Sequence, residues 1–220
     1  MLPAEDAELA EALKGYLADE GLEIHTGVRI ERIEPGRVVA DAGTFDAGRI
    51  LVATGRRART EGLGLEGAGV TTDEQGFVQT DAHLPTTNPR VYAAGDVAGL
   101  PQFVYVAAQS GWVAARNALG ASERLDLKAV PRVTFTDPAL ASVGLTEAEA
   151  RAQLGAGVRT ARLDLKDLPR ALAAFDSRGF FKIVVNEAST VLGLHVLANE
   201  AGEVIEEGMI AVQAVCITAT

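Results

Sequence analysis

The chain has 220 residues, a formal net charge of -10 at pH 7 and 48% hydrophobic residues. This length allows one or two domains with a buried core, and the hydrophobic share excludes an intrinsically disordered chain. The negative charge disfavours nucleic acid as a partner, because such binding draws on clustered Lys and Arg.

The sequence has no run of about 18 apolar residues, the minimum for a membrane span. Its acidic start, MLPAEDAELAEAL, does not resemble a signal peptide. These observations predict a cytoplasmic protein with no nucleic-acid and no membrane partner.

The cysteine and histidine content limits the chemistry that these residues can perform. A single cysteine, Cys216, excludes an intrachain disulfide, a redox pair and a Cys-rich metal site within the chain. We expect Cys216 to lie on an apolar helix as a small buried residue. His25, His83 and His195 fall in different predicted elements, so we expect structural roles for them. The sequence therefore predicts no catalytic and no metal-ligating residue in this chain.

The first 56 residues have the pattern of a helix followed by short strands. Leu9 and Leu13 lie on one face of a predicted amphipathic helix over residues 4–20, and Gly21 follows as a stop signal. Strands are predicted in LEIHTG, VRIERIEPG, RVVAD and TFDAGRILVATG, and we expect the last of these to include an apolar strand over Ile50–Ala53. This order is typical of the tail of an α/β nucleotide-binding domain.

The rest of the chain divides near residue 125, in the polar segment SERLD. Before it, GVTTDE, GFVQTD and RVYAAGDV predict strands and Phe103–Leu119 predicts a helix. After it, VPRVTFTD, VRTARLDL, FFKIVVNE and VLGLHVLAN predict strands, and AGEVIEEGMIAVQAV predicts a helix. TEAEARAQL predicts a further helix, in which Thr146 and Glu149 form a capping-box pattern. Strands joined by hairpins, with helices on one face, predict an antiparallel α+β domain.

Two sequence features point to nucleotides only weakly. The segment GLGLEG, Gly62–Gly67, matches the G-x-G-x-x-G pattern, but it does not stand between a strand and a helix as a dinucleotide fingerprint requires. The basic cluster Arg56, Arg57 and Arg59 is short, and such clusters are more often solvated surface than phosphate sites. We therefore assign neither feature to a phosphate.

The segment TNPRVYAAGDV is a more specific signal. A strand predicted over Arg90–Ala94 is followed by Gly95, which has no side-chain bulk, and then by Asp96. Ligands bind open α/β sheets at the carboxyl ends of strands, where a carboxylate can accept hydrogen bonds from sugar-like hydroxyls. The spacing equally allows Asp96 to cap a turn or the following helix.

The pair ATGRRART and TNPRVYAAGDV resembles the signature of the pyridine nucleotide-disulfide oxidoreductases. This resemblance implies that Asp96, preceded by Gly95, binds the ribityl chain of FAD. It also implies that the helix after the aspartate directs its amino terminus at the flavin. Here that entry is Gln102, Phe103 and Val104, and Val104 is the best match for backbone contact to FAD.

The same resemblance assigns a second cofactor. Gly55 matches the position where the family's backbone passes close to the nicotinamide nucleotide. The implied cofactors are therefore FAD and NAD(P)H, and the sequence does not distinguish NADH from NADPH.

The second half of the chain resembles the family's dimerisation domain. AVPRVTFTDPALASVGLTEAEA is similar to its opening, and GFFKIVVNEASTVLGLHVLANEAGEVI to its central hairpin and following helix. The implied fold is α/β and α+β, with partial Rossmann-like NAD(P) and FAD domain remnants before an antiparallel-sheet dimerisation domain. We expect residues 1–56 to end the NAD(P)-binding domain, 57–125 to form the returning segment of the FAD-binding domain, and 126–220 to form a truncated dimerisation domain.

Within the family, PQFVYVAAQSG and DLPRALAAFDSRGF resemble the mercuric reductases most. The resemblance implies a fragment of a homodimeric FAD-dependent NAD(P)H oxidoreductase that reduces Hg(II) to Hg(0). Complete members also carry a CxxxxC pair and two glycine fingerprints, so we expect this chain alone to be inactive, to retain FAD weakly or not at all, and to self-associate through residues after about 125. Two alternatives stay open: a fragment of a dihydrolipoamide dehydrogenase-like disulfide reductase, and a non-enzymatic dimerisation module.

Overall fold

The computed structural model describes residues 1–216 and 218. They form two compact units, one of residues 1–50 with 128–220 and the other of residues 51–127. The helices are α1 Ala7–Asp19, α2 Val104–Ala118, α3 Glu147–Leu154, α4 Pro169–Ala173 and α5 Ala201–Gln213. The strands are β1 Ile30–Glu34, β2 Arg37–Ala40, β3 Gly43–Asp46, β4 Arg132–Thr134, β5 Ala139–Gly144, β6 Arg159–Asp164, β7 Phe180–Val185 and β8 Val191–Ala198.

A five-stranded antiparallel sheet forms the centre of the first unit, in the order β4-β5-β8-β7-β6. The predicted hairpin of β7 and β8 is confirmed, and so are the outer strands β4 and β6. Sequence patterning did not identify β5, which lies between β4 and β8. Its residues ALASVG carry no charge and four consecutive ones are buried, so they show no polar-apolar alternation.

Helices cover both faces of this sheet. Alternate strand residues point to opposite faces, so neighbours such as Leu140 and Ala141 belong to different cores. Helix α5 packs on one face; that core contains Ala141, Val143, Val196, Ile205 and Val212. Helix α1 packs on the other; that core contains Leu9, Leu13, Leu140, Phe180 and Leu197. The expectation of helices on one face is therefore wrong: α1 covers the face opposite α5, and Ala150 of α3 also packs with Val184.

The remainder of the first unit is a small antiparallel meander in the order β1-β2-β3. It confirms the predicted strands in VRIERIEPG and RVVAD and the first part of TFDAGRILVATG. LEIHTG is not a strand. The predicted strand over Ile50–Ala53 is also wrong: Leu51 and Val52 are 90% and 62% exposed and pair with no strand among the described residues. An apolar run favours a strand, but a strand also needs a neighbour for its backbone groups.

The second unit is organised around α2, which confirms the helix predicted over Phe103–Leu119. Its core contains Leu84, Val113 and Leu125. The strand predictions before α2 are wrong, including Arg90–Ala94, since only isolated bridges occur there among the described residues, at Thr72 with Val78 and at Pro85 with Tyr92. Side chains hold these loops in place of a ladder: the Asn117 amide donates to the carbonyls of His83 and Glu123, each at 2.8 Å.

Two local predictions have opposite outcomes. The capping box of α3 is confirmed: Thr146 accepts from the Glu149 amide, and the Glu149 carboxylate accepts from the Thr146 amide. The prediction of a buried, helical Cys216 is wrong, because α5 ends at Gln213, Val215 has a left-handed φ of 55°, and Cys216 is exposed.

In the described part of the chain no helix is both long and apolar enough to cross a membrane.

Candidate functional site

The candidate site lies in the second unit, where a tight turn carries Asp96. Ala94 is extended, with φ -144° and ψ 157°, and Gly95–Ala98 form a single 3-10 turn. Gly95 has a left-handed φ of 70°, and its amide donates to Ser110 Oγ on α2 at 2.9 Å. A Cβ at Gly95 would lie 3.1 Å from the Cβ of Ala107. The turn is thus fixed closely against the first turns of α2, at a position that favours glycine.

The Asp96 carboxylate is available to a ligand, and its charge is already paired. Asp96 Oδ2 accepts a hydrogen bond of 2.8 Å from Arg56 Nη1, and the two side chains are 43% and 65% exposed respectively. The N-cap residues of the turn and of α2 are Ala94 and Phe103, and neither has a side-chain capping hydrogen bond. Asp96 therefore does not serve as the cap that its spacing allowed.

The predicted helix entry of Gln102, Phe103 and Val104 is where α2 begins. Val104 is the first helical residue and is 86% exposed. The Phe103 ring stacks on Tyr105 with centroids 5.3 Å apart and planes 6° apart. The first amides of a helix and its dipole make this end attractive to negative charge.

Gly55 lies in an extended loop with φ 101°. It lines a cavity of about 680 Å³ together with Thr54, Arg56, Arg57, Glu74, Gln75 and Phe77. This cavity is next to the Asp96 turn, because Arg56 is both a wall of the cavity and the partner of Asp96. Arg56, Arg57 and Arg59, which we expect to be solvated surface, are all exposed. The contact of Arg56 with Asp96 could not be predicted, since an ion pair that spans 40 residues has no local signature.

The structure does not bring the histidines together. His195 is fully buried, with Nδ1 3.0 Å from Ser142 Oγ and Nε2 3.0 Å from the Leu145 carbonyl, and burial lowers its pKa below the usual range. His83 Nδ1 lies 2.8 Å from the Glu123 carbonyl, and the His25 ring lies against Phe45. Among the described residues no group of three His, Cys, Asp or Glu side chains is arranged to hold a metal.

Two family models match the chain. The model for pyridine nucleotide-disulphide oxidoreductases matches residues 1–111, and the model for the dimerisation domain of these proteins matches residues 130–219. The first match alone covers half of the chain.

Curated relatives and solved structures agree with this match. A mercuric reductase of Staphylococcus aureus is 44% identical over 94% of this chain and 40% of its own length. A mercuric reductase of Streptomyces lividans is 42% identical over 96% of this chain and 46% of its own length. A dihydrolipoyl dehydrogenase of Thermus scotoductus is 42% identical over 97% of this chain and 48% of its own length.

Among solved structures, LpdA of Mycobacterium tuberculosis superposes with a TM-score of 0.87 at 31% identity, over 98% of this chain and 48% of that one. The HOCl-induced flavoprotein disulfide reductase RclA of Escherichia coli superposes with a TM-score of 0.85 at 29% identity, over 98% of this chain and 51% of that one. The chain spans about half or less of the length of the relatives and structures described. The mixed α/β fold with antiparallel sheets is the one expected, and the chain belongs to the pyridine nucleotide-disulphide oxidoreductase family.

Proposed function

We propose that this chain is part of an FAD-dependent NAD(P)H oxidoreductase that reduces Hg(II) to Hg(0), to which it contributes the ribityl-binding turn and a dimerisation domain. The observation that carries the proposal is the Asp96 carboxylate, which is open on a turn fixed against the start of α2 and paired with Arg56. Mercuric reductases at 42–44% identity support the choice of substrate.

The residues present fit a flavin. The Asp96 carboxylate can accept hydrogen bonds from ribityl hydroxyls, and Gly95 adds no side chain that would separate the turn from α2. Val104 and the preceding Gln102 and Phe103 offer backbone groups at an open helix amino terminus, where negative charge is stabilised. When bound, FAD supplies the hydride-accepting chemistry. The share of these residues is to bind and orient it.

Gly55 is the proposed contact for NAD(P)H. The loop that carries it lines the polar cavity next to the Asp96 turn, and a glycine with φ 101° leaves the backbone accessible. Arg57 in the same wall offers a cation to a phosphate, while Arg56 is already paired with Asp96 and Glu74 adds a negative charge.

The proposed organisation follows the family. Residues 1–56 end an NAD(P)-binding domain, 57–125 return to the FAD-binding domain, and 126–220 form the dimerisation domain of a cytoplasmic homodimer. Hg(II) is a soft cation that prefers paired thiolates, and this chain has one cysteine. Its share is therefore flavin positioning and dimer formation and not metal binding.

A dihydrolipoamide dehydrogenase-like reductase, with an organic disulfide as acceptor, is the second candidate. It is favoured by the 42% identity to the Thermus dihydrolipoyl dehydrogenase over 97% of the chain.

Two chimeras discriminate the candidates, because the acceptor-binding groups come from the host. This chain replaces the matching segment of the Staphylococcus mercuric reductase in the first, called the chimera below, and that of the Thermus dihydrolipoyl dehydrogenase in the second. Nicotinamide oxidation is followed with Hg(II) in the first and with lipoamide in the second. The proposal predicts that the chain supports Hg(II)-dependent oxidation in the first host and little lipoamide turnover in the second. The reverse result would support the second candidate, and folded chimeras without bound flavin would contradict both.

A further inference from the structure

A buried lysine on β7 gathers carboxylates from two distant helices. Lys182 is 5% exposed, and its Nζ lies 3.1 Å from Asp6 Oδ1, 3.1 Å from Glu8 Oε2 and 2.8 Å from Glu147 Oε2. Asp6 is the N-cap of α1, Glu8 lies in its first turn, and Glu147 begins α3. The cluster thus fixes the amino-terminal end of α1 to β7 of the five-stranded sheet.

The two fully buried leucines beneath α1 do not by themselves define where the helix sits. Leu9 and Leu13 are fully buried against Leu140, Phe180 and Leu197. They are spaced by one helical turn, and Leu17, one turn further, also packs against this core. If α1 shifted along its axis by about one turn, or 5.4 Å, Leu13 and Leu17 would replace Leu9 and Leu13 on the same surface.

The charged side chains around Lys182 distinguish these two positions of α1. A shift of one turn in that direction would bring Ala10 and Ala12 to the places of Asp6 and Glu8, and Lys182 would lose two of its three partners. A buried ammonium that keeps one of three carboxylates is unfavourable, whereas the two fully buried leucine positions would again hold leucines.

A second layer of polar contacts agrees with the same register. Arg162 on β6 pairs with Glu8 and stacks over the Phe180 ring at 3.7 Å. The Gly179 amide donates to the Tyr16 hydroxyl at 3.0 Å, one residue before β7 begins. Both contacts depend on the position of α1 along its axis.

From this geometry we propose that Lys182 is the register lock of α1 on the five-stranded sheet. Helix α1 lies in the region matched by the first family model and Lys182 in the region matched by the dimerisation-domain model. The lock therefore selects a single docking position for a helix of one module on the sheet of the other. Its role is specificity, since replacing buried ion clusters by apolar groups is often neutral for stability.

The test is amide hydrogen exchange on the full 220-residue chain, measured as the protection of α1 relative to that of β5 and β8. Lys182→Met is expected to lower this ratio by about ten-fold or more, because α1 then samples other positions while the sheet persists. In the combination Lys182→Met, Asp6→Asn and Glu147→Gln, we expect the melting temperature to recover towards wild type while the ratio stays low. Lys14→Met on the same helix is the matched control, because Lys14 forms only a partly exposed pair with Glu11 at 3.5 Å, and its ratio should not change.

Two outcomes would overturn the proposal. One is a wild-type ratio in the triple variant, which would mean that apolar contacts set the register. The other is an equal loss of protection in α1 and the sheet of Lys182→Met, which would mean that the lysine only contributes to global stability. If Lys182→Met does not fold, the same ratio is measured in Asp6→Asn. In that variant, a wild-type ratio or an equal loss of protection in α1 and the sheet would overturn the proposal.

Discussion

The guanidinium of Arg56 donates a 2.8 Å hydrogen bond to the carboxylate of Asp96, although 40 residues separate them. The pair is about half exposed, with the Arg56 side chain at 65% and Asp96 at 43%. Exposed ion pairs contribute roughly 0–1 kcal/mol to stability. The consequence of this contact is therefore positional: it fixes one carboxylate oxygen and leaves the acidic side chain accessible at the turn.

Arg56→Ala is expected to change the free energy of unfolding of the isolated chain by less than about 1 kcal/mol, because the ion pair is solvated. In the chimera the same substitution should weaken flavin binding by about ten-fold, because the Asp96 carboxylate loses the partner that orients it. Urea denaturation measures the first quantity and FAD titration the second. Arg59→Ala is the control, as it removes an exposed arginine of the same cluster; an equal effect of both substitutions on flavin affinity would contradict the positional role.

Gly95→Ala is expected to destabilise the second unit by about 1–3 kcal/mol, from the cost of a left-handed alanine and the crowding at Ala107. The φ of 70° and the 3.1 Å approach are the structural causes. Gly111→Ala on α2 is the matched control: a Cβ there meets nothing within 4 Å, so the helix should gain up to about 1 kcal/mol. Urea melts followed by the fluorescence of Trp112, the only tryptophan, report both. If Gly95→Ala and Gly111→Ala changed the free energy of unfolding in the same direction, the geometry of the turn would be contradicted.

Acid should destabilise the chain as the pH falls below about 4.5, the ordinary Glu pKa. The pKa of Glu147 is held low by its hydrogen bonds to Lys182 and Arg151, that of Glu149 by the Thr146 amide, and that of Asp176 by Arg178. A carboxyl group with a depressed folded-state pKa stabilises the protein above its unfolded pKa, and this stabilisation is lost as the pH falls through the folded pKa. Glu149→Gln should reduce the slope of stability against pH in this range. An unchanged slope would contradict the assignment.

His195 should add a separate decrease in stability that begins near pH 6.5, its ordinary pKa. Burial lowers its folded-state pKa, so between that value and 6.5 the unfolded chain binds a proton that the folded chain does not. The free energy of unfolding therefore decreases as the pH falls through this window. Since Nε2 lies 3.0 Å from the Leu145 carbonyl, the neutral ring donates there and accepts at Nδ1 from Ser142. Unfolding free energies between pH 5 and 7 should lose this slope in His195→Gln; a slope retained in the variant would exclude His195 as its source.

Self-association through the residues after about 125 is the remaining prediction for the isolated chain. Exposed apolar side chains occur in this part of the described chain, including Phe135 and Phe175 at 90% and 97% and Ile210 at 61%. Apolar surface of this kind favours association. Sedimentation equilibrium should detect a dimer whose population increases with concentration. A monomer at high concentration would contradict the prediction.

Much of the fold could be predicted where local chemistry repeats. Helices α1 and α2 have clear periodicity, and the Thr146 and Glu149 capping box marks the start of α3. Strand β5 could not be predicted because four consecutive residues are buried and give no alternation. The prediction of a strand over Ile50–Ala53 is wrong because an apolar run does not reveal whether a neighbouring strand exists.

For side-chain contacts, too, the sequence predicts what local residues determine and not what the tertiary fold brings together. The local signature around Asp96 predicts a flavin contact, which stays a prediction, and neither the 3-10 turn nor α2 has a side-chain cap. The contacts of Arg56 and Lys182 could not be predicted, because Asp96 lies 40 residues from Arg56 and Asp6 lies 176 residues from Lys182, so both contacts depend on the tertiary fold. The exposed position of Cys216 depends on where α5 ends, and no residue of that helix signals its end clearly.

The central claim is that the Asp96 turn forms part of a flavin site, and its most direct test is the ratio of bound flavin to protein in the purified chimera and in its Asp96→Ala variant. Visible absorbance should give a stoichiometric flavin in the chimera, a loss of about ten-fold or more in affinity in the variant, and no stoichiometric flavin in the isolated 220-residue chain. Equal flavin content in the folded chimera and its Asp96→Ala variant would contradict the claim.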